Sequence, residues 1–307
     1  MFKCIDKEGR VHARQETHPD TEYPDCTWVN LFSGTKFLKV LSTNINHFGW
    51  YNIIEYINVH NQALDLALKA HVFKIENRLE DAEYYLNKSL FFNAYADHFL
   101  TDAFSAGHVR VPRKQIKDWA KKNLRGMLKS YVGDSLGNII HEFDARNRAG
   151  DHVGLPVKNS LGQEWITHSD NHLHVNSNEN DPVIKIPIQA VSLSVQEIFI
   201  AYRFGVKPEG VFQALNLVPF VNGDPMSDKF GLTSNERENK KWIRRLRNDL
   251  KFPLRLITSE SSIEKMLNSL DIIMKRMARD VRSDLLKKDE LYLRMPEEYK
   301  ESYSRVD

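Results

Sequence analysis

Cysteine is scarce: Cys4 and Cys26 are the only two in 307 residues. That excludes a disulfide-stapled scaffold and a four-cysteine zinc module. The two can bond to each other in an oxidising compartment, or both can be free thiols. A charge surplus is missing too. Forty-three Lys and Arg stand against 41 Asp and Glu, a formal net charge of +2. No particular partner is implied by that balance, and a dedicated duplex-DNA binder is disfavoured. There is no run of about 18 apolar residues, so no membrane-spanning helix is expected. The first ten residues, Met1 to Arg10, are too charged to form the apolar stretch of an export signal. The protein then stays inside, or the sequence starts downstream of a removed leader. With 41% hydrophobic and 27% charged residues, disorder is excluded as well. The length allows one large domain or two ordinary ones.

What is present is mostly helical pattern. Residues 1–36 are polar and punctuated by Thr17-His18-Pro19-Asp20, Tyr23-Pro24-Asp25 and Ser33-Gly34, the mark of an irregular arm. Ile53, Tyr56, Ile57, His60, Leu64 and Ala67 then recur at spacings of three and four, which predicts one face of a helix. Leu79, Ala82, Leu86, Leu90 and Ala94 repeat that pattern and lead into His98 and Asp102. Lys114 to Tyr131 predicts a basic amphipathic helix, and Ser135 to Arg148 another, closed by Gly150. Residues 151–182 are rich in Asn, Asp, His and Gly and read as a long connection. Val183 to Ile188 reads as a short strand that Pro187 confines to an edge, and Gln189 to Phe204 as a helix stopped by Gly205.

The last third follows a turn-rich stretch at Asn222-Gly223-Asp224-Pro225. Arg237 to Arg255 is rich in cations, with Trp242, Ile243, Leu246 and Leu250 interleaved. Such a stretch can lie on an anionic membrane, and more commonly is a helix packing its apolar side inward. Ile263, Met266, Leu267, Leu270, Ile273, Met274, Met277 and Val281 draw a strong helical stripe of core character, with Ser261 and Glu264 as its capping box. The expected fold is all-α: an arm at 1–36, a helical metal-binding domain at 37–220 and a helical extension at 221–307.

Twelve histidines invite a metal hypothesis. One or two His-x3-acid pairs are expected by chance alone, roughly, so His12/Glu16 and His98/Asp102 decide nothing by spacing. Context separates them. His98 and Asp102 sit among Phe91, Phe92, Ala94, Tyr95, Phe99, Leu100, Ala103 and Phe104. Burial there would be costly for both unless they pair or hold a metal. His108 follows Ser105-Ala106-Gly107, where Gly107 would end the helix and let His108 face the same cavity. His141 and Asp144 share one face of the next helix but one, and His47 opens the first. Mixed nitrogen and oxygen donors of this kind suit zinc. Zinc lowers the pKa of a water it holds and neutralises a phosphoryl oxygen, as phosphodiester hydrolysis requires.

The segment Ala94-Tyr-Ala-Asp-His98-Phe-Leu-Thr-Asp102-Ala-Phe-Ser-Ala-Gly-His108 resembles the central signature of the zinc-dependent phospholipase C family, whose all-α fold is shared with fungal zinc single-strand nucleases. Asn46-His47-Phe48 is similar to that family's earlier His-Phe ligand, and Asn138-Ile-Ile-His141-Glu-Phe-Asp144 to its later His-plus-acid helix. The resemblance spans about residues 41–205. It implies that His47, His98 and Asp102 hold one zinc and that His108, His141 and Asp144 hold a second, with Asp102 available to bridge to a third and catalysis depending on it. The family places a Glu four residues after its late His; Ala145 stands there, so Asp144 takes the role. The family's N-terminal ligands have no counterpart beyond His12, His18, Asp20 and Asp25, so two zinc ions are expected and the third position lacks identified ligands. The implied activity is that of a phospholipase C cleaving phospholipid headgroups through a metal-activated water, with peripheral membrane contact and a secreted or periplasmic setting. A single-strand nuclease of the same fold, or a non-catalytic scaffold or effector that has lost part of the site, stand as alternatives. Arg110 and Arg113, flanking Pro112 after His108, are candidate substrate contacts at the cavity rim. His60 is a candidate too, or a core histidine. His168-Ser-Asp170-Asn-His172-Leu-His174 is dense in donors but has little apolar backing.

Overall fold

The computed structural model of the chain describes residues 4–5, 11–12, 44–144, 153–169, 180–223, 232–250 and 254–305. Two compact units are formed, Met1–Asn44 and Ile45–Asp307. Of the first, the described residues give a two-residue antiparallel ladder, β1 (Cys4–Ile5) with β2 (Val11–His12). His18, Asp20, Asp25 and Cys26 lie outside the described residues.

The second unit is all-α with one small sheet. Helix α1 (Gly49–Ile75) buries its expected stripe in full: Ile53, Tyr56, Ile57, His60, Leu64 and Ala67 are shut from water. Helix α2 (Leu79–Asp102) folds back on it after a short turn in which Asn77 adopts a positive φ. The buried face of α2 differs from the expected one. Leu79 and Ala94 are exposed, and the inward line runs through Ser89, Asn93, Ala96, Asp97 and Leu100. Polar residues take that face because α1 and α6 (Pro182–Phe204) meet them with matching groups. His60 is bonded at Nδ1 to Asn93 Oδ1 (2.6 Å) and at Nε2 to Glu197 Oε2 (3.0 Å). Asn93 in turn donates to Asp97 Oδ2 (2.9 Å) and Ser194 Oγ (3.2 Å). Buried polar groups joined this way fix one register between three helices.

Burial is the main reason that the Asp97 carboxyl is pushed from its ordinary 3.8 up to about 6, against the Ser194 hydroxyl and the His60 ring. The folded chain therefore binds more protons than the unfolded one between those two values, and stability falls as pH rises through that window. Asp97→Asn is expected to flatten this slope and to raise the unfolding free energy at about pH 8 by on the order of 2 kcal/mol. Urea unfolding of both proteins between about pH 4 and 8 checks it.

Three expected elements are redrawn. Val183–Ile188 is helix rather than strand, because Asp181 accepts the Val183 N–H (3.0 Å) as N-cap and Pro182 occupies the first turn. Pro187 then forfeits a single backbone bond in the second turn. Gly205, left-handed at φ 67, closes α6 as expected. The basic helix stops early: α4 (Arg113–Asn123) and α5 (Lys129–Asp144) flank a break around Gly126. Between α5 and α6, the stretch read as a connection contains an antiparallel hairpin, β3 (Leu155–Lys158) with β4 (Glu164–Thr167), and β5 (Phe220–Val221) adds to β3.

In α7 (Glu236–Asp249) Trp242, Ile243 and Leu246 point inward, as does Leu250 after it, the second of the two readings of that stretch. The Met-rich stripe is buried on two helices, α9 (Glu260–Asn268) and α10 (Leu270–Leu286), which follow the short α8 (Leu254–Ile257). Ser259, not Ser261, caps α9, accepting the Ser262 N–H. The extension belongs to the same compact unit: Tyr299 and Tyr303 of α11 (Glu297–Ser304), with Tyr292, pack their rings on Trp50. One helix does meet the length and composition of a membrane span. That is α6, 23 residues with mean hydropathy 1.4 over its most apolar stretch; its apolar residues are interrupted by Lys185, Gln189 and Glu197, which is why no unbroken run shows in the sequence.

Candidate metal centre

Three ligand atoms come together at the end of α2. His47 ends a 3-10 turn (Asn44–His47), and extended Phe48 turns the chain into α1. That places the His47 ring over the last turn of α2, where Nδ1 lies 2.6 Å from Asp102 Oδ2. His98, one turn earlier on α2, brings Nε2 to 3.9 Å from the same oxygen. One donor atom from each of His47, His98 and Asp102 lies within 4.8 Å of the others, and among the described residues this is the group of three able to share an ion. Two imidazoles and a carboxylate with positions left open are a donor set that zinc accepts.

The site is more open than the apolar surroundings suggested. The His98 side chain is 54% exposed and that of Asp102 23%. Phe91 and Tyr95 stand on the same helix face, at spacings of four, three and four with His98 and Asp102, and both are exposed. Phe99, Leu100, Ala103 and Phe104 supply the apolar backing from beneath.

A second imidazole pair adjoins the first. Helix α2 ends at Asp102, and after a turn the short helix α3 (Ala106–Val109) carries His108 inward. Nδ1 of His108 lies 2.5 Å from the His47 carbonyl oxygen, the kind of bond that orients a ligating imidazole through its other nitrogen. Phe48 stacks on His108, and the His108 and His141 rings lie 5.1 Å apart. Residues as distant as 47 and 141 thus meet in one place. Gly107 does not stop a helix; it lies inside α3, where a Cβ would fall 2.4 Å from the His141 ring. Gly107→Ala is expected to push His141 away from His108 and to cost about 1–3 kcal/mol in overpacking. A thermal melt and the imidazole separation in the variant's structure check this.

Asp144 departs from its expected role. It is fully buried, and its Oδ1 accepts from Arg110 Nε (2.9 Å) and Nη2 (2.6 Å), so its carboxylate serves an internal ion pair. The same pair turns the Arg110 guanidinium inward, and the residue is buried. Arg113 is buried too: its guanidinium lies 4.5 Å over the Phe48 ring and donates to Asn138 Oδ1 (3.2 Å), bracing the ring that stacks on His108. His60 belongs to the core network above and meets no solvent. Of the donor-rich stretch 168–174, only His168 and Ser169 lie among the described residues. The His168 carbonyl accepts the Ala106 N–H (2.9 Å), and Thr167 donates its hydroxyl to the Phe104 carbonyl, so the end of β4 holds the turn before α3.

Set against family models, curated proteins and solved structures, the chain matches none of them.

Proposed function

We propose that this protein is a zinc-dependent hydrolase of phosphodiester bonds, of phospholipase C type. The observation supporting it is the His47–His98–Asp102 group, drawn from the 3-10 turn before α1 and the end of α2 onto a solvent-open face. Zinc bound there would supply a Lewis acid for a phosphoryl oxygen and an acidified water. The chain's own residues do the positioning. Asp102 holds the His47 ring by its 2.6 Å contact, and its charge offsets that of a cation. The Phe99 ring packs 4.9 Å from the His47 ring. The open face of His98 leaves room for a phosphodiester to approach.

Exposed Phe91 and Tyr95 favour a second reading, a single-strand nuclease, because aromatic rings beside an open site can stack on nucleobases. Zinc titration of the chelated protein, followed by assays on phosphatidylcholine vesicles and on single-stranded oligonucleotide, tests both. With Asp144 Oδ1 engaged by Arg110, one ion is expected to bind tightly. No zinc uptake, or uptake unaffected by His98→Ala, would overturn the metal reading. Uptake without hydrolysis of either substrate would leave the non-catalytic scaffold.

A further inference from the structure

A cavity of about 510 Å³ opens between the β3–β5 sheet and helices α10 and α11, a size common among small-molecule sites. Its apolar lining includes Phe220, Met274, Met277 and Tyr303, all of them buried residues. The charges around it are mostly cancelled. Arg110 is held by Asp144, and Arg305 pairs with Glu301 at 2.7 Å. Glu298 is exposed, where water screens it. Lys158 is the exception. It is half-buried at the end of β3, has no acidic partner among the described residues, and holds its ammonium 5.9 Å from the Phe220 ring centroid.

We infer that this cavity binds an aliphatic amphiphile with a single anionic head, the head against Lys158 and the chain over the two methionines. Unbranched thioether side chains adapt to a flexible chain, and a lone ammonium selects negative charge without demanding the planar shape that a guanidinium prefers. A carboxylate and a phosphate monoester both satisfy that chemistry. The inference stands apart from the histidine group and does not rest on the proposed hydrolysis.

Isothermal titration of the full chain with decanoate, decyl phosphate, decanol and decyltrimethylammonium, all below micelle formation, tests it. One anion per chain is expected, at least tenfold tighter than decanol, with the ammonium compound weakest. Each methylene removed should weaken binding about fourfold. Lys158→Ala should erase the preference for the anion while leaving decanol binding unchanged, and Ser302→Trp, which fills the mouth, should abolish all binding. The tighter of decanoate and decyl phosphate names the source of the head. Circular dichroism confirms that each variant is folded. Equal affinity for decanoate and decanol, an anion preference that survives Lys158→Ala, or loss of binding on adding a chelator, which would move the site to the histidines, each overturns the inference.

Discussion

Replacing Asp102 by Asn is expected to lower phosphodiester hydrolysis by at least about 100-fold while leaving the protein folded. Asn keeps an oxygen that can accept from His47, whose Nδ1 lies 2.6 Å from Asp102 Oδ2, so the ring keeps its place. What disappears is the negative charge, on which the hold over a divalent cation depends. Zinc content should fall with activity, and the melting temperature should barely move because Asp102 is partly exposed. His168→Ala is the control. Its backbone carbonyl, not its ring, supports Ala106, so activity should stay near the parent's. Equal losses in the two variants would show that the site lies elsewhere.

Arg110→Ala is expected to cost about 3–5 kcal/mol, because Asp144 is left as a buried carboxylate without its cation. For a folded unit of this size the melting temperature drops by roughly 8–15 °C. Substituting both partners, Arg110→Met with Asp144→Leu, should recover most of that loss, since no charge is then stranded. The comparison separates two roles for Arg110. A rim residue that meets a phosphate would leave the melting temperature alone and raise KM; an internal ion-pair partner does the reverse. Thermal denaturation of the single and double variants decides between them.

How much of this was legible in the sequence follows from the range of each interaction. The α1 stripe was readable because a helix repeats its buried face every three or four residues, and all six positions are buried. The convergence of His47, His98 and Asp102 was readable only through the spacing on α2 and the resemblance of the surrounding segment. The openness of the site was not. Phe91 and Tyr95 look like core residues by type, and nothing local tells that Asn93 and Asp97 take the inner face instead. That choice depends on His60 and Glu197, which lie 33 residues before Asn93 and 104 after it. The Arg110 partner of Asp144 is hidden from the sequence for the same reason. The neighbour of Asp144 in sequence is His141, but the guanidinium that claims it comes 34 residues earlier.

The ring of Tyr303 has a consequence for the order in which the protein is made. Its hydroxyl donates to the Val109 carbonyl, one residue past His108, and its edge lies against Gly49, two residues past His47. A ribosome that has produced residues 1–144 has produced every candidate ligand, yet not the side chain that clamps the two segments bearing His47 and His108. The side chain that ties these two segments together is thus translated about 160 positions after Asp144, the last of the candidate residues. Removing residues 299–307 is therefore expected to free the Val109 carbonyl and the Gly49 turn from that contact while every candidate donor remains in the chain.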